Sequence, residues 1–269
     1  MILDLELNAA TTDWGLMREA AQAAEEAGAG AVWTFDHLSG VVLQGDRMLE
    51  CFSVLGALAA STSTIGLGSM VVNVANRHPA VLAVGAASVQ AISGGRLLLG
   101  LGAGAAPGSQ WSREHDAAGI PLRTTIAERH AAVHEALDMF DAMWSPQRDA
   151  RYSGFPVADP RPPVIMGVSS EPLAVIAGRR CDGINVRSEH ANAAELLTAA
   201  RTARAEVDPE GRRPWTVTAS RFFEDGLLDP EHPERVRLAG LGVDRMIVVF
   251  MLPPPAAVFS PAARSWRAV

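Results

Sequence analysis

The sequence predicts a (β/α)8 TIM barrel. Short apolar or β-branched runs alternate with helical patterns along the chain, and those runs number eight. Several are apolar on consecutive residues, as parallel strands covered on both faces must be. A doubly wound open sheet shares the alternation, but eight strands favour the closed barrel. A length of 269 residues is ordinary for one such unit, so a single domain over residues 1–269 is expected.

The strands expected, in order, are Leu3–Leu7, Ala31–Phe35, Thr64–Val71, Arg96–Gly102, Pro163–Val168, Asp182–Val186, Trp215–Ser220 and Arg245–Phe250. Helical patterns fill the gaps. Residues Asp13–Ala27 place Leu16, Ala20, Ala23, Ala24 and Ala27 on one face. His78-Pro79 suits a helix start, with proline in the first turn. The run Thr125–Glu128, "TIAE", reads as a capping box for a helix that turns Val133, Leu137, Phe140 and Trp144 inward. The longest irregular stretch, Ser145–Pro163, separates two regions of identical pattern and is read as an elaborated loop rather than a linker.

Composition narrows the function classes. Hydrophobic residues make up 48% of the chain and charged residues 20%, which supports a large core. The net charge is −7 and all 23 basic residues are arginine. That balance disfavours a nucleic-acid partner, and the lack of lysine removes Schiff-base chemistry. Cys51 and Cys181 are too few for a disulfide framework or a cysteine zinc site and read as buried thiols. The start, "MILDLELNAA", lacks the pattern of a secretion signal, and no apolar stretch is long enough to span a membrane. A cytoplasmic location is expected.

The most informative stretch is Ile92–Gly104, "ISGGRLLLGLGAG". A dinucleotide fingerprint needs Gly-x-Gly-x-x-Gly after the first strand of its unit. Here Gly100, Gly102 and Gly104 fall at the end of the fourth strand and not after the first, and Pro107 stands where the last fingerprint glycine belongs. Glycine at every second position strips one strand face of side chains. Two explanations remain open at this stage: a ligand approaches that face, or neighbouring protein packs closely against it.

The segment "SGGRLLLGLGAG" resembles the signature of the luciferase-like flavin and deazaflavin oxidoreductases. Four more segments agree in order: Ala24–Leu38, Ile65–Ala83, Glu128–Ser145 and Pro162–Val186. The resemblance implies a luciferase-like barrel enzyme that uses the deazaflavin F420, exchanging hydride at the ring C5 with a small organic substrate. The alternative it leaves is an FMN-dependent monooxygenase served by a separate reductase; a flavin-binding barrel without turnover is a third reading. A homodimer is common in the family. By the same resemblance His37 lies by the reactive ring, with Asp36 orienting or charging it and also touching the cofactor. Met70-Val71 aligns with a position where a non-prolyl cis peptide meets the ring. Gly102, Ala103 and Gly104, with Gly167, Val168 and Ser169, fall near the cofactor phosphate.

One departure stands out. Some sugar-phosphate dehydrogenases of this family carry a glutamate just after the strand-four glycines, where this chain has Ala105. Any acid is therefore expected from His37 or elsewhere. His130 and His134 are four apart on a helix, yet no third ligand completes a metal site, so no metal is expected. Arg77 and His78 either meet an anionic tail or cap the next helix. Trp111, after strand four, is a candidate wall of a substrate pocket, and Ser170 a candidate helix cap.

Overall fold

A computed structural model of the chain describes residues 1–259 and 266. Eight parallel strands pair β1 with β2 and onward to β8, which returns to β1 and closes the barrel. They are β1 (Ile2–Leu7), β2 (Ala31–Thr34), β3 (Gly66–Asn73), β4 (Leu97–Gly102), β5 (Val164–Val168), β6 (Gly183–Arg187), β7 (Thr216–Phe222) and β8 (Arg245–Phe250). The helices are α1 (Trp14–Ala27), α2 (Cys51–Ser61), α3 (Pro79–Ser93), α4 (Arg113–Ala118), α5 (Ile126–Trp144), α6 (Glu171–Arg180), α7 (Ala193–Val207) and α8 (Pro233–Gly240). Every expected strand is present. The ends differ by a residue or two: β2 stops before Phe35, and β3 runs on to Asn73. No helix of the described residues is long and apolar enough to cross a membrane.

The period-2 rule explains the two sides of β1. Leu3, Leu5 and Leu7 join the outer core between strands and helices, while Asp4 and Glu6 point into the lumen, both buried. Trp33 fills the lumen with Met70, Ile165 and Ile247. Its ring lies over Gly68, where an added Cβ would meet it at 2.2 Å. Asp4 accepts hydrogen bonds from the Trp33 indole at 2.9 Å and from Arg245 at 2.7 and 2.9 Å. A buried carboxylate is thus paired and hydrogen-bonded below the site.

Helix ends follow local chemistry. Asp13 caps α1, His78 caps α3 ahead of Pro79, and Thr125 with Glu128 forms the expected capping box of α5. The expected face of α1 is rotated. Leu16 is exposed, and Met17, Ala20, Ala21 and Ala24 face the core. Much of the "SGGR" motif is structural. Gly94 ends α3 in the left-handed region, and Arg96 donates to carbonyls of Ala59, Thr62, Ile65 and Ser93, tying down the end of α2. The irregular segment before β5 is anchored where Gln90 donates to the Pro160 carbonyl at 2.6 Å. It is a loop on the barrel, as expected.

Candidate active site

The carboxyl ends of the strands surround a cavity of about 430 Å³. Its walls come from strands or loops at seven positions round the barrel: Glu6, His37, Met70-Val71, Gly167–Ser169, Asn185, Ser220 and Val249 all reach it. Phe35, Trp111 and Phe222 supply aromatic wall, so Trp111 is where the sequence placed it. This is the end at which a parallel barrel brings residues from separate strands into one space.

Asp36 and His37 leave β2 in opposite directions, because successive residues of extended chain alternate sides. His37 turns to the cavity. Asp36 turns under the next loop and is buried, accepting two bonds from Arg77 at 2.6 and 2.7 Å and one from the Asn73 amide at 2.9 Å. It does not line the cavity or bond to His37, so its expected part in orienting the imidazole is not what the geometry gives. The carboxylate on His37 belongs instead to Glu114, whose Oε1 lies 2.9 Å from Nδ1. Glu114 Oε2 also accepts the amides of Leu38 at 2.8 Å and Ser39 at 3.0 Å. Burial alone would raise the Glu114 carboxyl, but the bonds from His37, Ser39 and Leu38 bring it below the usual range. Ala105 lies elsewhere, beside a second cavity. Sequence spacing gave no sign of Glu114, since a six-residue helix in a long loop sets its position.

The alternating glycines are explained by their neighbours. The Met70-Val71 peptide is cis, and the β3–β4 register shifts between Ser69 and Val72. A Cβ on Gly102 would meet Val71 Cγ2 at 2.4 Å, and one on Gly167 would meet Val71 Cγ1 at 2.6 Å. On Gly100 it would strike the Ser69 carbonyl oxygen at 1.8 Å. Of the two readings left open, close packing by protein thus accounts for Gly100 and Gly102, and it does so beside the cavity. Met70, Val71, Gly167, Val168 and Ser169 line that cavity; Gly102, Ala103 and Gly104 do not, and Ala103 borders the second one of about 250 Å³. Ser170 makes no side-chain cap to α6.

Glu6 is the residue that sequence reasoning passed over. Its side chain is buried at the cavity, and Oε1 has no hydrogen-bond partner. Burial raises its carboxyl well above the usual range. A neutral carboxylic acid facing a cavity can donate a proton. The acidic alternation in "LDLEL" was the available signal, because an acid on the lumen face of a strand has no solvent to meet. Nearby, Asn185 donates to Ser220 at 3.3 Å and accepts from Thr218 at 2.8 Å, a polar patch on the opposite strands.

Other candidates fall away from this site. His130 and His134 border a shallow groove between α5 and α6, and no metal-binding group of three or more His, Cys, Asp or Glu occurs among the described residues. Burial pushes the Cys181 thiol up to about 12 and raises that of Cys51 well above its ordinary range, which disfavours the thiolate at both. His78 caps α3, as one of the two readings of that pair has it, whereas Arg77 does not cap the helix and instead pairs with the carboxylates of Asp36 and Glu50.

The family model for luciferase-like monooxygenases matches residues 3–223. The chain is 31% identical over 207 residues to the F420-dependent hydroxymycolic acid dehydrogenase of Mycobacterium tuberculosis, covering 73% of this chain and 55% of that protein. It is 31% identical over 215 residues to the 5,10-methylenetetrahydromethanopterin reductase of Methanolobus tindarius, covering 75% and 58%. It therefore spans little more than half the length of these curated relatives. Among solved structures, an F420-dependent secondary alcohol dehydrogenase in complex with an F420-acetone adduct shares the fold, with a TM-score of 0.78 over 99% of both chains and 13% identity.

Proposed function

The chain belongs to the luciferase-like monooxygenase family, and from that premise we propose that it is an F420-dependent oxidoreductase acting on a small organic substrate with a hydroxyl or carbonyl group. The curated relatives support the cofactor, and the dehydrogenase among them supports that first choice of substrate class. The observation that carries the reading is one cavity shared by His37, held by the Glu114 carboxylate, and the buried carboxyl of Glu6, whose Oε1 has no hydrogen-bond partner.

The residues present fit such a cofactor. The orphaned Glu6 oxygen and the Val71 bulge meet at one cavity, and the Gly167–Ser169 backbone forms its wall beside the start of α6. Met70 and Val71 would support a flat ring, and Gly167, Val168 and Ser169 would take the phosphate, since amides at a helix start favour an anion. When bound, F420 supplies or accepts a hydride at its ring C5. The protein handles the proton that must move as well. His37, which faces the cavity, would accept a proton from a substrate hydroxyl or return one to a carbonyl. Burial raises the Glu6 carboxyl, which favours its protonated form at the same cavity. Phe35, Trp111 and Phe222 would flank the bound substrate.

The test is turnover. Purified protein with reduced F420 should consume it against at least one member of a panel of aldehydes and ketones, or oxidised F420 against the matching alcohols. His37→Ala should abolish that turnover while leaving the fold intact. Turnover only with reduced FMN and oxygen would overturn the proposal in favour of a monooxygenase.

A further inference from the structure

We propose that Glu114 is a positioning residue that fixes the tautomer of His37, keeping the proton on Nδ1 and presenting Nε2 to the cavity. The inference rests on the reading that chemistry takes place beside His37. An ionised carboxylate only accepts hydrogen bonds, so at 2.9 Å from Glu114 Oε1 the Nδ1 atom has to donate. Which ring nitrogen carries the proton is set by the bond the other one makes. Among the described residues, Nε2 has no protein partner.

The carboxylate is itself held firmly enough to impose that choice. Its side chain is 2% exposed, against 20% for His37. Its second oxygen takes the amides of Leu38 and Ser39, so Glu114 binds three consecutive residues of one loop. The next residue, His115, is fully buried and lies 2.8 Å from Asn76 Oδ1 through Nε2. Asn76 in turn donates from Nδ2 to the Asp36 carbonyl at 3.0 Å, which fixes the orientation of its amide. Helix α4 is thereby pinned to the loops after both β2 and β3. Trp111, just before α4, covers the imidazole at 5.6 Å between ring centroids and 33°. The imidazole is thus held on one edge by Glu114 and approached on a face by Trp111.

A carboxylate that merely pinned the loop through Leu38 and Ser39 would leave the position of the imidazole proton to chance. The experiment separates these roles. Nitrogen NMR of histidine-labelled protein at alkaline pH, without cofactor or substrate, reads which nitrogen of each neutral imidazole carries the proton; His37→Asn identifies the signal. The wild type should show His37 protonated on Nδ1. In Glu114→Gln that single tautomer should be lost, with Nε2–H appearing, while backbone signals away from both loops stay in place. A wild-type His37 protonated on Nε2 overturns the proposal. So does a folded Glu114→Gln protein with an unchanged tautomer. If Glu114→Gln does not fold, the wild-type spectrum alone decides. Failure of F420 binding would refute the proposed function and leave this assignment standing.

Discussion

Replacing Gly102 by alanine tests why the glycines alternate. Gly102 has no left-handed backbone to protect, so the added methyl acts through space alone. Its Cβ would lie 2.4 Å from Val71 Cγ2, and ordinary carbon contacts need about 3.5–4.0 Å, so Val71 must retreat by roughly 1 Å. A β-branched side chain has little rotamer freedom with which to do so. Gly167 closes the other side, with Val71 Cγ1 at 2.6 Å from the position of its missing Cβ. Overpacking of this kind costs ~1–3 kcal/mol, offset by ~0.5–1 kcal/mol because alanine restricts the unfolded chain. Urea unfolding should therefore show Gly102→Ala less stable by ~1–2 kcal/mol. Val71→Ala removes both offending methyls and leaves its Cβ at 3.3 Å. In that background Gly102→Ala should cost almost nothing, a coupling of ~1–2 kcal/mol in a double-mutant cycle. Additivity within ~0.5 kcal/mol would refute the packing explanation.

Three further outcomes follow from buried or capped charges. Glu6 has its folded carboxyl raised above the ordinary 4.5, so its contribution to stability is full below that value and is lost as pH rises toward the folded one. Glu6→Gln should thus be more stable than wild type at neutral pH in urea unfolding, the two converging at acid pH, with turnover reduced. Glu25 shows the reverse sign. It accepts the amides of Ser63, Thr64 and Ile65, and although burial opposes the shift, those donors lower it to about 2. Its contribution is present above 4.5 and lost as pH falls toward 2. Glu25→Gln should cost ~1 kcal/mol at neutral pH, allowing for solvent screening, with the difference vanishing in acid unfolding curves. Arg245→Ala leaves the buried Asp4 without its cationic partner and should cost ~3–5 kcal/mol by thermal or urea unfolding. A loss below ~1 kcal/mol would mean that Asp4 is protonated or solvated in the fold.

The barrel was legible because parallel strands covered on both faces leave continuous apolar runs, and because caps such as Thr125 and Glu128 act within four residues. The phase of α1 was not. An alanine-rich helix offers two small-residue faces of similar hydrophobicity, and only the tertiary contact of Met17 chooses between them. At the site, His37, Met70, Val71 and the Gly167–Ser169 segment could be singled out through the family resemblance, whose matching segments fall at strand ends in readable order. Glu114 could not. It reaches His37 across 77 residues of chain, through a short helix whose placement depends on His115 meeting Asn76. Glu6 was readable in principle from two acids alternating with leucine, but a strand face turned to the lumen looks like one turned to water until the barrel is closed.

The proposed function requires that the cavity at the strand ends hold a deazaflavin. Its most direct test is titration of purified protein with oxidised F420 and, separately, with FMN, following the fluorescence of each. Saturable F420 binding is expected, with FMN far weaker, and Gly102→Ala should weaken it by moving Val71 into the cavity. Preferential FMN binding, or no binding of either, would contradict the account.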